Sequence, residues 1–364
     1  MSIIVQKSLA VKRPRDYNVE GDTAQSTIGI FRKLCALISS VFLAIHKVLL
    51  RKTAIIRTQT FSESALVALC GVALKRKDVT PMEAYVMDAF SRRVFGGNQA
   101  GVVLPDRPMD DALCTQIAGE FKHSETAFVT AGEGGVTLRY FTPAGEVELC
   151  GHATVASFAL LRKLGKIGDG DHVAHTKAGD LSITVTGDTV WMDMAPPKLL
   201  RTLTAEELPE LYGAYGLTPA DCPQGFAPQI VSTGLADIMM PVRDHDTLLR
   251  AVQNDAAVTA LSRRYDCVGV HMFCLGEGVT CCSNFAPLYD IPEECATGTS
   301  NGALTYYLYL RGLVQPGQEN VFCQGEHMGR PSEIRSRLTV GEDGSAAVRI
   351  GGSAVMSLSC DLKI

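Results

Sequence analysis

The chain has 364 residues, of which 46% are hydrophobic and 20% charged, a balance that fits one or two ordinary cores and excludes a disordered, collagen-like or solenoid chain. Its formal net charge is -5 at pH 7, so the molecule as a whole lacks the cationic surface that nucleic-acid binding needs, and small molecules are the expected partners. The charge is uneven: residues 1–80 carry 13 Lys and Arg against 5 Asp and Glu, whereas residues 81–364 carry 21 against 34.

Two different materials therefore meet near residue 80. In the first, Leu34 to Ile45 is an uncharged, mostly apolar run of twelve between Arg32-Lys33 and His46-Lys47, short of the roughly twenty residues a spanning helix needs. It lies too far from the start for a secretory signal. Residues 1–81 are read as a basic extension, with organelle targeting or membrane-surface binding as the alternative to a plain cytoplasmic protein. The 12 cysteines include no Cys-x-x-Cys pair; at so low a density they indicate a reducing compartment and mostly buried thiols, and they give no zinc-ribbon spacing.

From Met82 the texture becomes that of a folded domain. Ala84–Phe90 and Gly101–Leu104 are strand-like runs around the turn residues Gly96-Gly97-Asn98. Gly132-Glu133-Gly134-Gly135 and Gly351-Gly352 lack the strand–GxGxxG–helix context of a nucleotide cradle and read as hairpin turns.

An internal echo follows. Val136-Thr137, Phe141-Thr142-Pro143 and Cys150-Gly151-His152-Ala153-Thr154 lead into an apolar helical run ending at Gly165. Val279-Thr280, Phe285-Ala286-Pro287 and Cys295-Ala296-Thr297-Gly298 lead into another ending at Gly312. Phe to Cys spans nine residues in one copy and ten in the other, and Cys to the terminal Gly fifteen and seventeen. A duplicated fold is the simplest cause.

Each cysteine falls at or just before a helix start, where unpaired N–H groups and the positive end of the helix dipole favour an anion and depress a thiol's pKa. If the copies face each other, Cys150 and Cys295 flank a cleft whose helix ends, Gly151-His152 and Thr297-Gly298, hold a carboxylate. One thiolate takes a proton from one face of a carbon acid and the opposing thiol returns one to the other, inverting the centre. Glu125, within Ser124-Glu125-Thr126-Ala127-Phe128, offers a different route: a buried carboxyl that carries a proton between two positions of one substrate. The structural alternatives are a helix-capping Glu125, a hydrogen-bonded His152 and two packing cysteines.

At these residues the sequence resembles the PhzF-like phenazine-biosynthesis isomerase family. Asp88-Ala89-Phe90, Gly97-Asn98, Ser124–Phe128, Phe141-Thr142-Pro143, Leu149–Thr154, Ser232-Thr233-Gly234-Leu235, Phe285-Ala286-Pro287, Ala296-Thr297-Gly298 and Gln324-Gly325 with Gly329–Ser332 occur in the family's order over about 82–364. The resemblance implies an α+β, diaminopimelate epimerase-like fold: two pseudo-symmetric lobes, each a rolled, mostly antiparallel sheet around a central helix, with the site between them. It gives Glu125 the place of the family's catalytic glutamate and His152 that of its histidine beside the substrate. Where phenazine-type members usually read Asp-Pro-Ala-Thr-Gly-Ser, this chain has Glu294-Cys295-Ala296-Thr297-Gly298-Thr299, so Cys295 stands where related epimerases keep one catalytic cysteine.

The expectation is thus an isomerase of a small carboxylate-bearing metabolite, working without cofactor or metal. Glu125, Cys150 and Cys295 are the catalytic candidates, and Gly151, His152, Glu294, Thr297, Gly298 and Thr299 the binding ones. Racemisation by two thiols competes with a Glu125-mediated 1,3-hydrogen shift and with a non-catalytic binding member. Residues 82–200 are assigned to a first lobe, to which the C-terminal segment returns, and 201–364 to a second. A homodimer is left open, and no spanning segment is expected.

Overall fold

The computed structural model describes residues 82–364; the extension expected over 1–81, with its apolar run Leu34–Ile45, lies outside the described residues. Strands and helices alternate as follows: β1 (Met82–Ala89), β2 (Asn98–Leu104), α1 (Asp111–Phe121), β3 (Thr126–Gly132), β4 (Gly135–Thr142), β5 (Gly145–Val147), α2 (Gly151–Lys163), β6 (Gly170–Thr176), β7 (Gly179–Thr186), β8 (Thr189–Asp193) and β9 (Lys198–Thr202). Next come α3 (Leu208–Gly213), β10 (Gln229–Ser232), β11 (Ala236–Pro241), α4 (His245–Leu249), α5 (Asp255–Tyr265), β12 (Val270–Leu275), β13 (Thr280–Ala286), β14 (Ile291–Glu294) and α6 (Gly298–Tyr309). The chain ends with β15 (Glu319–Gln324), β16 (Ser332–Val340), β17 (Ala346–Gly352) and β18 (Ala354–Leu362).

The strand pairings repeat one pattern twice. In the first lobe β1–β2 is antiparallel, β2–β3 parallel, β3–β4 and β4–β5 antiparallel, β4–β6 parallel, and β6–β7–β8 antiparallel. The second lobe repeats this strand for strand from β10 to β17. The lobes join where β8 pairs with β17, each the last strand of its repeat. Their end strands are exchanged: β9, following the first repeat, pairs with β10 of the second, while β18, following the second, pairs with β1 of the first. This is the duplication the sequence echo implied, in a mixed but mostly antiparallel α+β fold.

Each lobe rolls its sheet around one helix. Helix α2 packs against β1, β2, β3, β8 and β18, and α6 against β10, β11, β17 and β9, their counterparts, and against β16. A helix enclosed on all sides must be apolar nearly all round, and α2 buries Ala153, Val155, Ala156, Phe158, Leu160 and Leu161, each large side chain contributing about 1.5–3 kcal/mol. Helix α6 also buries the polar Ser300, Asn301 and Thr305; Thr305 Oγ1 meets Ser336 Oγ at 2.7 Å and the carbonyl of Asn301 at 2.8 Å, so that hydroxyl is compensated. Helix α1 covers the outer face of the first sheet, and α3, α4 and α5 that of the second.

Glu133-Gly134 forms the expected hairpin turn between β3 and β4. Gly351-Gly352 does not: it lies within β17, paired with Trp191 and Val190. A Cβ on Gly352 would stand 2.3 Å from Phe90 Cδ1, and one on Gly351 2.6 Å from Trp191 Cε3. The glycines are there because aromatic rings press against the strand where a Cβ would stand.

Candidate active site

The two central helices begin at the same place. Cys150 is the N-cap of α2 and Thr297 that of α6, and neither N-cap side chain makes a capping hydrogen bond. Gly151 and His152 from one helix and Thr297, Gly298 and Thr299 from the other line a cavity of about 340 Å³ with Glu294, Met192 and Thr233. That is room for a small metabolite, with two sets of helix-start N–H groups converging on it.

His152 sits at the centre of a buried polar cluster. Its Nε2 is 3.4 Å from Glu125 Oε2 and 3.5 Å from Ser124 Oγ. Its Nδ1 is 3.4 Å from both Cys150 Sγ and Asn98 Nδ2. Two donors facing Nδ1 favour the tautomer that accepts there and carries its proton on Nε2, toward Glu125. Glu125 is 2% exposed and precedes β3 rather than a helix, so the helix-capping alternative does not hold.

Glu294 approaches from the second lobe. Asn98 Nδ2 donates to its Oε1 at 3.1 Å and to the Ala296 carbonyl at 3.1 Å, and Thr297 Oγ1 donates to its Oε2 at 2.8 Å. Gln324 fixes this turn, its Nε2 donating to the Glu294 carbonyl at 2.6 Å and its Oε1 accepting from Thr297 N at 3.2 Å. Burial pushes the Glu294 carboxyl above its ordinary pKa and the negative charge of Glu125 adds to the shift, while His152 opposes it. A smaller cavity of about 60 Å³ lies on the Glu125 side, and Glu294, Thr297 and Thr299 line both spaces.

The cysteines are differently placed. Cys150 and Cys295 are 1% and 5% exposed, and neither lines either cavity. Cys150 contacts His152, whereas Cys295 Sγ donates to the Gly97 carbonyl at 3.1 Å. The thiolate expected at Cys295 is not favoured there. Helix α6 starts only at Gly298, so the sulfur is outside its first turn, and burial, with Glu294 beside it, pushes the thiol up to about 11.

Three residues outside the sequence-derived set help build the site. Asn98 bridges His152 and Glu294. Arg330 Nε donates to the Gly97 carbonyl at 3.0 Å, and its Nη2 pairs with the fully buried Asp88 at 2.9 Å, pinning the β1–β2 turn that carries Asn98. Gln324 holds the Glu294 turn. All three occur within the family motifs, so the signal was present without a settled role.

The repeated rolled sheets define a two-lobed fold, and a probable proline racemase from Agrobacterium radiobacter shares it at a TM-score of 0.51 and 13% identity, over 77% of this chain and 92% of that one. The family is closer at hand. The model of the phenazine biosynthesis-like protein family, PhzC-PhzF, matches residues 87–360, and the chain belongs to it. An uncharacterized isomerase, YddE, from Escherichia coli O157:H7 is 31% identical over 285 residues, covering 75% of this chain and 96% of its own. A PhzF-family phenazine biosynthesis protein from Bacillus anthracis superposes with a TM-score of 0.71 at 26% identity, over 78% of this chain and 99% of that chain. Among the described residues no helix is long and apolar enough to cross a membrane.

Proposed function

We propose that this protein is an isomerase that shifts a proton within a small carboxylate-bearing metabolite, with Glu125 as the base and no cofactor required. One observation carries the reading: a buried glutamate and histidine 3.4 Å apart on one lobe face a second carboxyl, Glu294, on the other, around the starts of the two central helices. The substrate carboxylate rests on the N–H groups of α2 and α6, which also stabilise the charge that develops as the α-proton leaves. Glu125 accepts that proton and returns it to a second position of the same molecule, so the 1,3-shift closes with no change of oxidation state. His152, donating from Nε2, orients the Glu125 carboxylate. Glu294, held by Asn98 and Thr297, faces the bound molecule from the other lobe.

Two-thiol racemisation is the weaker reading, because Cys295 is engaged with a carbonyl and lines neither cavity. The test is enzyme-dependent deuterium uptake from D₂O across a panel of amino and other carboxylic acids. Glu125→Gln is expected to lower exchange by about 10²- to 10⁴-fold, while Cys295→Ala retains it. Exchange untouched by Glu125→Gln would overturn the proposal, as would ligands that stabilise the protein without any exchange.

A further inference from the structure

A second cluster of reactive side chains lies away from the cavity, on the other face of the second lobe's sheet. Cys274, Cys281 and Cys323 stand abreast on three adjacent strands: Cys274 pairs with Cys281 across β12 and β13, and Cys281 with Cys323 across β13 and β15. Register partners project to the same face of a sheet. The Cys281 thiol interacts with both neighbouring thiols and with His245 and Glu326. His245, the first residue of α4, and Glu326, two residues beyond β15, are joined by a 2.7 Å hydrogen bond between Nε2 and Oε2. The ligand atoms of His245, Cys281 and Glu326 all lie within 4.8 Å of one another. Cys281 and Cys323 are half-buried and the His245 side chain is 43% exposed, so an ion has a way in.

We propose that His245, Cys281, Cys323 and Glu326 form a binding site for a thiophilic divalent metal ion of the zinc class, with Cys274 as the thiol behind it. Two sulfurs, an imidazole and a carboxylate suit tetrahedral zinc and do not suit magnesium or calcium. His245, Cys281 and Glu326 need little movement, and Cys323 is the register partner of Cys281 on the next strand. Ligand atoms on a tetrahedral zinc stand about 3.3–3.8 Å apart by the usual bond lengths, so the His245–Glu326 pair opens by roughly half an ångström while the others close in. Because alternate residues of a strand face opposite ways, Cys323 lies on one side of β15 and Gln324, which anchors the Glu294 turn, on the other. A metal here clamps β13, β15 and α4 behind that turn.

The test is a titration of chelator-stripped, fully reduced full-length protein with Zn²⁺ by calorimetry, and with Co²⁺ followed by thiolate-to-cobalt charge-transfer absorption. The expected result is one strong site per chain with sulfur-to-cobalt absorption, weakened by about tenfold or more in Cys281→Ser and in His245→Ala. Glu326→Gln, at a partly exposed position, gives the same weakening should the cysteine variant misfold by circular dichroism. Glu125, Cys150 and His152 also lie within 4.8 Å of one another, so Cys150→Ser is the control. Binding that is lost in Cys150→Ser and kept in Cys281→Ser assigns the metal to the other cluster and overturns the proposal, as does the absence of strong binding.

Discussion

Replacing Cys295 by alanine separates the two chemistries most cleanly. The thiol is 5% exposed and donates to Gly97 O at 3.1 Å. Deleting the sulfur forfeits about 1 kcal/mol of burial and packing and about 1 kcal/mol for the hydrogen bond. Together these lower the melting temperature by roughly 4 °C in a domain of this size. The catalytic cost is expected to be small. A thiol with a pKa of about 11 is ionised in only about one molecule in ten thousand at pH 7, a poor base beside Glu125. Proton NMR in D₂O, following loss of the substrate's α-proton signal, should give a rate within about threefold of the parent. A fall of about 100-fold or more in a variant that still melts cooperatively would refute the reasoning, since losses of that size mark a participating acid or base.

Other consequences are as specific. Glu125→Gln should lose about 10²- to 10⁴-fold in kcat with the melting temperature nearly unchanged, read from the same NMR assay. Asn98→Ala removes the amide between His152 and Glu294 and should lower kcat/KM by about 10- to 100-fold, mostly through kcat, measured by steady-state kinetics. Gly352→Ala drives a Cβ to 2.3 Å from the ring of the fully buried Phe90 and should cost about 1–3 kcal/mol or more, seen by urea denaturation. Burial raises the pKa of Asp237 despite hydrogen bonds from Ser300 and Gly269. The folded chain therefore holds that proton to higher pH than the unfolded one, and stability falls as pH rises through the interval between the two values. In calorimetric scans from about pH 4 to about pH 7, Asp237→Asn should gain on the parent as pH rises; a difference that moves the other way contradicts the assignment.

Local chemistry was the legible part of this protein. The repeated strand–turn–cysteine–helix pattern announced the duplication, and the motifs around Glu125 and His152 marked two residues that the fold brings within 3.4 Å. What the sequence hid depends on distance along the chain. Asn98 meets His152 from 54 residues away and Glu294 from 196, and nothing local to Asn98 foretells either contact. Gly351-Gly352 looked like a turn because glycine's signal is the same for a sharp bend and for a close approach; only Phe90 and Trp191, supplied from elsewhere, decide between them. Cys295 looked like a helix-end thiolate because the echo placed it beside a helix start, but the helix begins later, at Gly298, and burial, with Glu294 beside the sulfur, raises its pKa.

The exchanged end strands impose an order on biosynthesis. β9 ends at Thr202 and β18 at Leu362, so the ribosome must add about 160 more residues after the first repeat before the strand that covers β1 exists. At ordinary elongation rates that is roughly 8–32 s. Throughout it the nascent first lobe presents an unpaired β1 edge, a template for wrong partners, until the last stretch of chain emerges and closes it.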